Sequence, residues 1–496
     1  MDDAGRPARA GRWHRDVEKV PYGAADGGIE TSTGRSGQVT AGIRPGPWET
    51  LRIAGADVPL YMMPFDAQGV LQAPLTAARL VEDLSGADPV DVVVISHGWN
   101  NDWTDALDLY HRLLSAYSTV VAAKGSPRSG ARLVIVGVSW PSIALPATSA
   151  PAMAADVVEP PAGPELTAVA EAVVDPADRP EFYALTQSPQ LDGAAALRMA
   201  TLLAPVYGAE DGDLSAADPA GSAAETVRLW AALQDRLDES AAPVVVSGPT
   251  GPRDSSASPD PAGPDAVGPD AGGPDAAGLL SALNPRRILR LATVLVMKDR
   301  AGVVGARGLG PVLAKVAAAL GPTSRIHLVG HSYGCKVVLS ALCATPGLRV
   351  RSALLLQAAL SYLALSDEVP TLNRPGGYHA AKGQCALGIL ATWSDQDFPL
   401  HVAFAFAVRR RLDLGEEDIG AAGAPEEPPS LYAALGGWGP PEDPDVRRER
   451  IRGSGDGRYT FGPERVHALE AHGVIQDHGD VTNDATAWAL YNLIGG

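Results

Sequence analysis

The sequence predicts an α/β protein with a mostly parallel sheet that is flanked by helices and interrupted by a helical insertion. Short runs of β-branched and aliphatic residues recur along the chain, which is typical of strands covered on both faces. Segments with helical periodicity alternate with these runs, as they do in βαβ units. The alternation occurs in residues 46–140 and again in residues 288–496, so these two stretches are expected to form one core.

The first stretch opens with two short strands, which a turn at Gly55-Ala56-Asp57 separates. A run of β-branched residues then predicts a buried strand, and leucines at helical spacing predict a helix after it. Because a second buried strand follows this helix, the two strands are expected to be parallel. The predicted elements are strands at 48–54 and 58–63, a strand at 90–96, a helix at 105–123 and a strand at 131–140.

The second stretch repeats this alternation and closes on a helix. Its predicted elements are a helical stretch at 309–320, a strand at 324–330, a helix at 335–344, strands at 352–359 and 386–393, and a final helix at 482–494. Asp480 or Thr482 is expected to cap the final helix, because a short side chain with an oxygen atom accepts hydrogen bonds from the first backbone N–H groups.

Four segments lack the alternation and are expected to lie outside the sheet and its helices. The insertion at 141–287 is rich in Ala, Pro and Asp, and GPDA recurs in its low-complexity part, which predicts a flexible linker. The expected segments are a loosely attached arm at 1–45, a helical cap at 141–246 with helices near 194–203 and 223–237, the linker at 247–278, and a polar Pro- and Glu-rich loop at 415–457.

The charge balance argues against a general nucleic-acid-binding protein. The chain has 58 acidic and 40 basic side chains, which gives a formal net charge of −18. A field of this sign repels phosphate backbones, and the densest basic runs, at 409–411 and 447–452, are short. No nucleic-acid partner is therefore expected, whereas a protein partner stays open.

Neither a membrane span nor a disulfide framework is expected from the sequence. No run of 18 uninterrupted apolar residues occurs, and the most apolar region, 288–320, contains several charged side chains. The first residues lack the apolar segment of a secretory signal, so a cytoplasmic protein is expected. Cys335, Cys343 and Cys385 lack the spacing of a metal site and are expected to be small buried core residues.

The motif Gly330-His331-Ser332-Tyr333-Gly334 carries the central chemical signal of the sequence. The pattern GxSxG alone is weak evidence, and the competing interpretation is a buried serine in an ordinary turn. Here an apolar strand runs directly into Gly330, and an apolar helix starts directly after Gly334. A turn this tight strains the backbone of the serine and lifts its hydroxyl above the carboxyl edge of the sheet. Ser332 is therefore the candidate nucleophile.

This turn resembles the nucleophile elbow of the α/β-hydrolase superfamily. Two further motifs, HGWNNDWTDAL at 97–107 and VSWPS at 138–142, resemble those of a bacterial branch of lipase/esterase-like hydrolases. The resemblance covers residues 48–142 and 288–494. It implies an α/β-hydrolase fold in which nucleophile, acid and histidine follow one another in that chain order.

The turn His97-Gly98-Trp99 follows a buried strand and is expected at the same edge of the sheet as the elbow. Acyl transfer builds negative charge on a carbonyl oxygen, and fixed backbone N–H groups are its usual stabilisers. By analogy with the superfamily, the donors would be the backbone N–H groups of Trp99 and Tyr333, with Gly98 allowing a close approach of the substrate. The His97 side chain is expected to make structural hydrogen bonds.

Elimination among the ten histidines selects the candidate general base. A serine hydroxyl needs a histidine to take its proton, and that histidine needs an acid to orient it. His478 lies in the short polar loop QDHGDVTND before the final helix, where a general base is expected, and His472 is the reserve. The histidines set aside on position are His14, His97, His111, His327, His331, His379, His401 and His467.

The acid is expected directly after the strand at 386–393, where the sequence reads SDQD. The spacing S-x-x-D resembles the acid turn of the superfamily, which favours Asp397, with Asp395 as the alternative and Asp367 as a distant third. For each of them the competing interpretation is a solvated loop aspartate.

Two other groupings of side chains do not change this interpretation. His467, Glu470 and His472 superficially suggest a metal site, but an i, i+5 spacing does not place two histidines on one helical face. A metal is therefore not expected, and no organic cofactor is expected because the hydroxyl, the imidazole and the oxyanion donors complete the chemistry. Four aromatic residues lie near strand ends or in the elbow, where they either line an apolar pocket or pack the core: Trp99, Trp103, Trp140 and Tyr333.

Together these residues predict a serine hydrolase that cleaves a carboxylic ester through an acyl-enzyme on Ser332, with a small-molecule ester, a lipid ester and a thioester as the open substrate classes. A peptidase or an acyltransferase would use the same groups, because the choice of leaving group depends on the shape of the pocket. The alternative from another class is a non-catalytic scaffold that keeps the fold for protein–protein contacts. A complete set of Ser332, Asp397 and His478 argues against the scaffold.

Overall fold

The computed structural model describes most of the two sheet-forming stretches and part of the insertion. The described residues are 45–142, 164–207, 210–211, 216–217, 223–224, 226–228, 230–231, 283–370, 373–404 and 433–496. The expected linker at 247–278, nearly all of the expected arm at 1–45, and residues 415–432 of the expected polar loop lie outside these residues.

A nine-stranded sheet forms the centre of the protein, with the strand order β1-β2-β4-β3-β7-β8-β9-β11-β10. All neighbouring strands are parallel except β1 and β2, so the predicted α/β class with a mostly parallel sheet is confirmed. The strands are β1 (Glu49–Ile53), β2 (Ala56–Pro64), β3 (Val90–Ser96), β4 (Arg132–Ser139), β7 (Arg325–His331), β8 (Val350–Leu356), β9 (Cys385–Trp393), β10 (Val446–Arg450) and β11 (Val466–Glu470), and a separate two-stranded pair consists of β5 (Glu210–Asp211) and β6 (Ala216–Ala217).

Helices cover both faces of the sheet, which explains why its central strands are apolar throughout. The described helices are α1 (Pro74–Leu84), α2 (Trp103–Lys124), α3 (Pro164–Val173), α4 (Arg179–Thr186), α5 (Gly193–Leu202), α6 (Ala204–Tyr207), α7 (Pro285–Val303), α8 (Gly310–Ala319), α9 (Tyr333–Cys343), α10 (His379–Gln384), α11 (Leu435–Trp438) and α12 (Asp484–Gly495). Two π-helical segments, Val304–Leu309 and Pro399–Ala403, complete the helical elements.

The alternation of side chains along β3 divides the core into two layers. Val92 and Val94 belong to the layer that contains α1, α7, α8 and α9. Val93 and Ile95 belong to the opposite layer, which α2 and α12 cover. Since successive side chains of a strand point to opposite faces, one apolar run serves both layers.

Several element boundaries differ from the prediction for local reasons. The strand predicted to reach residue 359 ends at Leu356, because Gln357 adopts a positive φ of 45° that turns the chain out of the sheet. The cap of the final helix is Asn483 rather than Asp480 or Thr482; its side-chain oxygen accepts hydrogen bonds from the backbone N–H groups of Ala485 and Thr486.

The helix predicted at 309–320 is the end of a longer helical run, in which α7, the π-helical segment and α8 follow one another from Pro285 to Ala319. Asn284 caps its start by accepting a hydrogen bond from the N–H of Arg286. In the expected cap, the helix predicted near 194–203 corresponds to α5, while α3 and α4 were not predicted. The segments that form α3 and α4 are short and together contain several alanines, so the spacing of their apolar residues does not identify them as helices.

The segment predicted as a polar loop at 415–457 contributes a strand to the sheet. Strand β10 has the sequence VRRER and pairs only with β11, at the edge of the sheet. Charged side chains are common on edge strands, where they discourage pairing with other chains, so the apolar signal of a strand is missing here. Strand β11 was also not predicted, because it is only five residues long.

One helical stretch of the described residues, Leu291–Ala319, is long and apolar enough to cross a membrane, with a mean hydropathy of 1.2 in its best window. Half of that window is buried inside the protein, and core helices of soluble proteins meet the same criteria. The described residues therefore contain at most one candidate and no clear membrane span. Of the three cysteines, Cys335 and Cys385 are buried as expected, whereas Cys343 is only partly buried.

Candidate active site

Ser332 occupies the tight junction between β7 and α9, at the carboxyl end of a central strand. Its backbone has a φ of 55° and a ψ of −125°, a conformation that side-chain-bearing residues rarely adopt. Three backbone hydrogen bonds hold it there: its N–H donates to Leu356 at 3.0 Å, and its carbonyl oxygen accepts from Cys335 and Ala359 at 3.1 and 3.3 Å. Such a strained residue persists because its surroundings over-determine it, which is typical of functional sites.

Three glycines let neighbouring backbone pack against this junction. A Cβ atom on Gly334 would lie 2.2 Å from the carbonyl oxygen of Ser96, and one on Gly330 would lie 2.5 Å from the backbone of Cys335. A Cβ atom on Gly98 would lie 2.5 Å from the Cβ and 3.1 Å from the Oγ of Ser332. The turn that follows β3 therefore contacts the candidate nucleophile directly.

His478 and Asp397 form a hydrogen-bonded pair at the same edge of the sheet. Nδ1 of His478 lies 2.8 Å from Oδ2 of Asp397, and the aspartate is fully buried while the histidine is partly exposed. Oδ2 also accepts a hydrogen bond from the side-chain amide of Gln357 at 2.9 Å, and Oδ1 accepts one from the backbone N–H of Leu400 at 3.1 Å. The carboxylate is therefore held by donors on both of its oxygens.

These donors keep the buried carboxylate ionised. Burial is the largest single influence on the pKa of Asp397 and would raise it, but the charge and hydrogen bond of His478, with the hydrogen bonds of Gln357 and Leu400, outweigh burial and lower the pKa below its ordinary value. An ionised acceptor next to Nδ1 selects the histidine tautomer that carries its proton on Nδ1 and leaves Nε2 free to accept one.

His331, which precedes Ser332 in the chain, connects this pair to the elbow. Nε2 of His331 lies 2.8 Å from the carbonyl oxygen of His478, and the centroids of the two imidazole rings are 5.0 Å apart. The structure therefore brings His478 and Asp397 to the neighbourhood of the candidate nucleophile. The sequence assigned no role to His331, and only the contact across the fold reveals one.

The turn His97-Gly98-Trp99 is fixed by the side chains of His97 and Asn101. Nδ1 of His97 lies 2.9 Å from the carbonyl oxygen of Gly98, and Nε2 accepts a hydrogen bond from the backbone of Trp140 at 3.2 Å. Asn101 donates to the carbonyl oxygens of Gly98 and Trp99 at 3.4 and 2.8 Å. Burial lowers the pKa of His97 to about 4, so this ring stays neutral.

The fixed carbonyl of Gly98 determines where the N–H of Trp99 points, because the C=O and N–H of a trans peptide point in opposite directions. Within the described ranges, this N–H has no hydrogen-bond acceptor in the protein. Tyr333, the second predicted oxyanion donor, is the first residue of α9, where backbone N–H groups face away from the helix. Tyr333 directly follows Ser332 in the chain, and Trp99 directly follows Gly98, which packs against Ser332.

The VSWPS motif supports the same turn. The hydroxyl of Ser142 accepts a hydrogen bond from the backbone N–H of Asn101 at 3.2 Å and donates one to its carbonyl oxygen at 2.8 Å. The carbonyl oxygen of Ser142 accepts another from Asn100 at 3.0 Å, and the ring of Trp140 stacks on His97. The two motifs that occur as a pair in the sequence are thus in direct contact.

The alternative site residues form contacts of their own. His472 pairs with Asp395 at 2.5 Å, and its ring lies edge-on to Trp393. Asp367 accepts from Lys382 and pairs with His379 at 3.0 Å. None of these three alternative residues makes a hydrogen bond or ion pair to the elbow within the described residues, whereas His478 contacts His331.

The side chains of His467 and His472 pair with different acidic residues. His467 is buried and contacts Glu449 at 3.0 Å, whereas His472 contacts Asp395. An acidic cluster of Asp367, Asp443 and Asp445 occurs elsewhere in the described part of the chain. The ammonium group of Lys382 contacts Asp367 and Asp445, and it offsets part of the negative charge there.

The four aromatic residues singled out in the sequence serve different purposes. Trp140 is buried against His97, and Trp103 packs edge-on against Trp48 with ring centroids 5.1 Å apart. Trp99 and Tyr333 face each other beside the elbow with ring centroids 6.5 Å apart. Phe404, which was not predicted, extends this group, because its ring lies 6.3 Å from that of Tyr333.

No family model, curated protein or solved structure matches this chain. A strained serine, a histidine paired with a buried carboxylate and a fixed backbone N–H are the groups that nucleophilic acyl transfer requires.

Proposed function

We propose that this protein is a serine hydrolase with an α/β-hydrolase fold, and that it cleaves a carboxylic ester through an acyl-enzyme on Ser332. The observation that carries the proposal is the hydrogen bond between the fully buried carboxylate of Asp397 and His478, whose backbone contacts His331 of the elbow. A solvated loop aspartate would not be fully buried with three hydrogen-bond donors around it.

The order of the elements supports the same fold. The serine follows β7, the acid follows β9 and the histidine follows β11, so all three lie at the carboxyl edge of one parallel sheet. Ligands of open α/β sheets bind at this edge. Serine, aspartate and histidine follow one another in the chain order of the α/β-hydrolase superfamily. The HGWNN and SWPS motifs also resemble motifs of a branch of that superfamily.

In the proposed reaction, Oγ of Ser332 attacks the carbonyl carbon of the ester while Nε2 of His478 takes the hydroxyl proton. The carbonyl oxygen becomes an oxyanion, which accepts hydrogen bonds from the backbone N–H groups of Trp99 and Tyr333. The bond to the alkoxy oxygen then breaks, and the imidazolium returns its proton to that oxygen, so an alcohol leaves. Asp397 stabilises the imidazolium throughout.

Hydrolysis of the acyl-enzyme repeats these steps with water. Nε2 of His478 takes a proton from the water as its oxygen attacks the acyl carbon, and the same N–H groups bind the oxyanion. The bond to Oγ of Ser332 then breaks, Oγ receives the proton back, and the carboxylic acid is released. The enzyme returns to its starting state with no other reactant.

The aromatic group beside the elbow suggests an apolar acyl or alkyl portion in the substrate. Trp99, Tyr333 and Phe404 form a chain of rings next to Ser332, and two of the three are buried. Small-molecule sites are lined mainly by apolar and aromatic side chains, with a few polar groups at the reacting atoms. An ester of an apolar acid or of a lipid fits this arrangement.

Labelling with a fluorophosphonate probe tests the proposal. The probe phosphonylates a serine only where a base activates the hydroxyl, so we expect covalent labelling of the wild type and none of Ser332→Ala. Ser366→Ala is a matched control, because the hydroxyl of Ser366 is buried and has no hydrogen-bond partner in the described residues. A folded wild type that resists labelling would instead favour the non-catalytic scaffold.

A further inference from the structure

His331 makes a contact that neither the proposed chemistry nor the motif accounts for. Its ring is nearly buried, and Nε2 lies 2.8 Å from the carbonyl oxygen of His478, 147 residues further along the chain. A carbonyl oxygen only accepts hydrogen bonds, so the proton of this contact lies on Nε2 of His331. The other ring nitrogen, Nδ1, is buried and has no partner among the described residues.

The loop that carries His478 is anchored at both of its ends. The hydroxyl of Ser394 donates to the carbonyl oxygen of Ile475 at 2.7 Å. The side-chain amide of Asn483 donates to the backbone carbonyl oxygen of Asp480 at 3.0 Å. Between these anchors, the contact from His331 is the one hydrogen bond to the backbone of His478 in the described part of the protein. The loop is otherwise held at this residue by its side-chain bond to Asp397.

We propose that His331 is a positioning residue that fixes the backbone of His478 and so aims its imidazole at Ser332. This inference rests on the proposed function. A single hydrogen bond to Asp397 holds Nδ1 but leaves the ring free to pivot about that contact. A second anchor at the carbonyl oxygen of the same residue removes this freedom. Misplacement of a reacting group by about 1 Å costs about 100-fold in rate.

The chemical state of His331 suits this purpose. Burial, together with the neighbouring His478, lowers the pKa of His331 to about 3, so the ring is neutral at physiological pH. A neutral ring still donates from Nε2. It also adds no positive charge beside the imidazolium that forms on His478 during the reaction, where a second cation would raise the energy of the transition state.

Two uncharged variants distinguish positioning from packing. The side-chain nitrogen of glutamine can reach the place of Nε2, whereas that of asparagine reaches only the place of Nδ1, which has no partner here. We expect His331→Gln to keep kcat within about threefold of the wild type, and His331→Asn to lose about tenfold or more with KM little changed. The rate of fluorophosphonate labelling should change in parallel with kcat.

Thermal unfolding of both variants provides the control for packing. If the Asn variant matches the wild type in kcat and labelling rate, or if both variants lose activity equally, His331 does not position the base. Failure of the wild type itself to label would overturn the proposed function, whereas a labelled wild type with an unaffected Asn variant overturns only this inference.

A measurement on the wild type keeps the inference testable if the variants do not fold. Imidazole nitrogen–proton correlation spectra at neutral pH should show His331 as a neutral ring with its proton on Nε2. A proton on Nδ1 would overturn the contact on which the inference rests.

Discussion

Asp397 and His478 are 81 residues apart in the chain, yet the fully buried carboxylate of the first lies 2.8 Å from Nδ1 of the second. The acid extends from the end of β9, and the histidine extends from the loop between β11 and α12. Because β9 and β11 are parallel neighbours, their carboxyl ends place both loops at one edge of the sheet. The topology of the sheet therefore creates the pair.

Replacing Asp397 by asparagine should abolish most of the activity with little loss of folded protein. The amide keeps the shape of the carboxylate but can present its NH₂ group to His478, which favours the tautomer with its proton on Nε2. We expect kcat to fall by about 10⁴-fold, as happens when an amide replaces the acid of a serine-protease triad. Steady-state hydrolysis of p-nitrophenyl esters measures the effect.

Asp395→Asn is the matched control for this change. Asp395 lies two positions before Asp397 on the same turn, is largely exposed and pairs with His472. We expect its kcat to stay within about twofold of the wild type, as for most surface substitutions. Equal losses in the two variants would mean that Asp397 has no special part in the reaction.

Gly98→Ala should damage the site because the new methyl group has no room. Its Cβ would lie 2.5 Å from the Cβ of Ser332. Either the turn or the elbow must move, so we expect a loss of about 1–3 kcal/mol of stability, typical of overpacking, and a fall in kcat. Gly383→Ala is the control, since nothing lies within 4 Å of its added methyl group. Urea unfolding and esterase assays of the two variants test this; similar results for both would refute the steric argument.

Ser142→Ala should weaken the turn His97-Gly98-Trp99 without touching the reacting groups. The change removes the two hydrogen bonds between the serine hydroxyl and the backbone of Asn101. We expect a loss of about 1–2 kcal/mol of stability, which is the usual contribution of such bonds, and a fall in kcat rather than a rise in KM. Ser366→Ala loses a buried hydroxyl with no partner in the described residues and should change neither quantity. If the kcat of Ser142→Ala equals that of the wild type, the SWPS motif does not support catalysis.

Mild acid should destabilise the protein through its buried histidines. Burial lowers the pKa of His97 to about 4 and that of His331 to about 3, whereas both titrate near about 6.5 in the unfolded chain. The unfolded state therefore binds more protons below about pH 6.5, and stability falls as the pH decreases, by up to about 1.4 kcal/mol per pH unit for each ring. Asp397 does not oppose this trend, because its stabilising effect is lost only below the pKa of an ordinary aspartate.

Urea unfolding midpoints at pH 7 and pH 5 measure this dependence. His331→Gln removes one of the titrating rings, so its stability should fall less steeply between the two pH values. An identical slope in the wild type and the variant would show that His331 is not held neutral in the folded protein.

The sequence predicts those parts of the fold whose signals are local. Buried strands such as Val90–Ser96 are continuous apolar runs, and Ser332 lies between an apolar strand and an apolar helix. Strand β10, with the sequence VRRER, gives no such signal, because its charged side chains lie at the sheet edge. Its place in the sheet depends on pairing with β11, which sequence periodicity does not report.

The same distinction separates the site residues. Asp397 could be selected because it follows a recognisable apolar strand, and His478 because it lies in a short polar loop before a recognisable helix. Gln357 and His331 could not be selected from the sequence. Gln357 is 40 residues from its partner Asp397 in the chain, and His331 is 147 residues from its partner His478. Such supporting contacts depend on which loops meet, and this follows only from the assembled sheet.

Detection of the acyl-enzyme is the most direct test of the central claim. Wild-type protein mixed with a p-nitrophenyl ester should release a burst of p-nitrophenol, and mass spectrometry of the quenched and digested protein should find the acyl group on Ser332. The His478→Ala variant should give neither the burst nor the adduct, while His472→Ala should give both. Turnover without an adduct, or an adduct on another residue, would contradict the account.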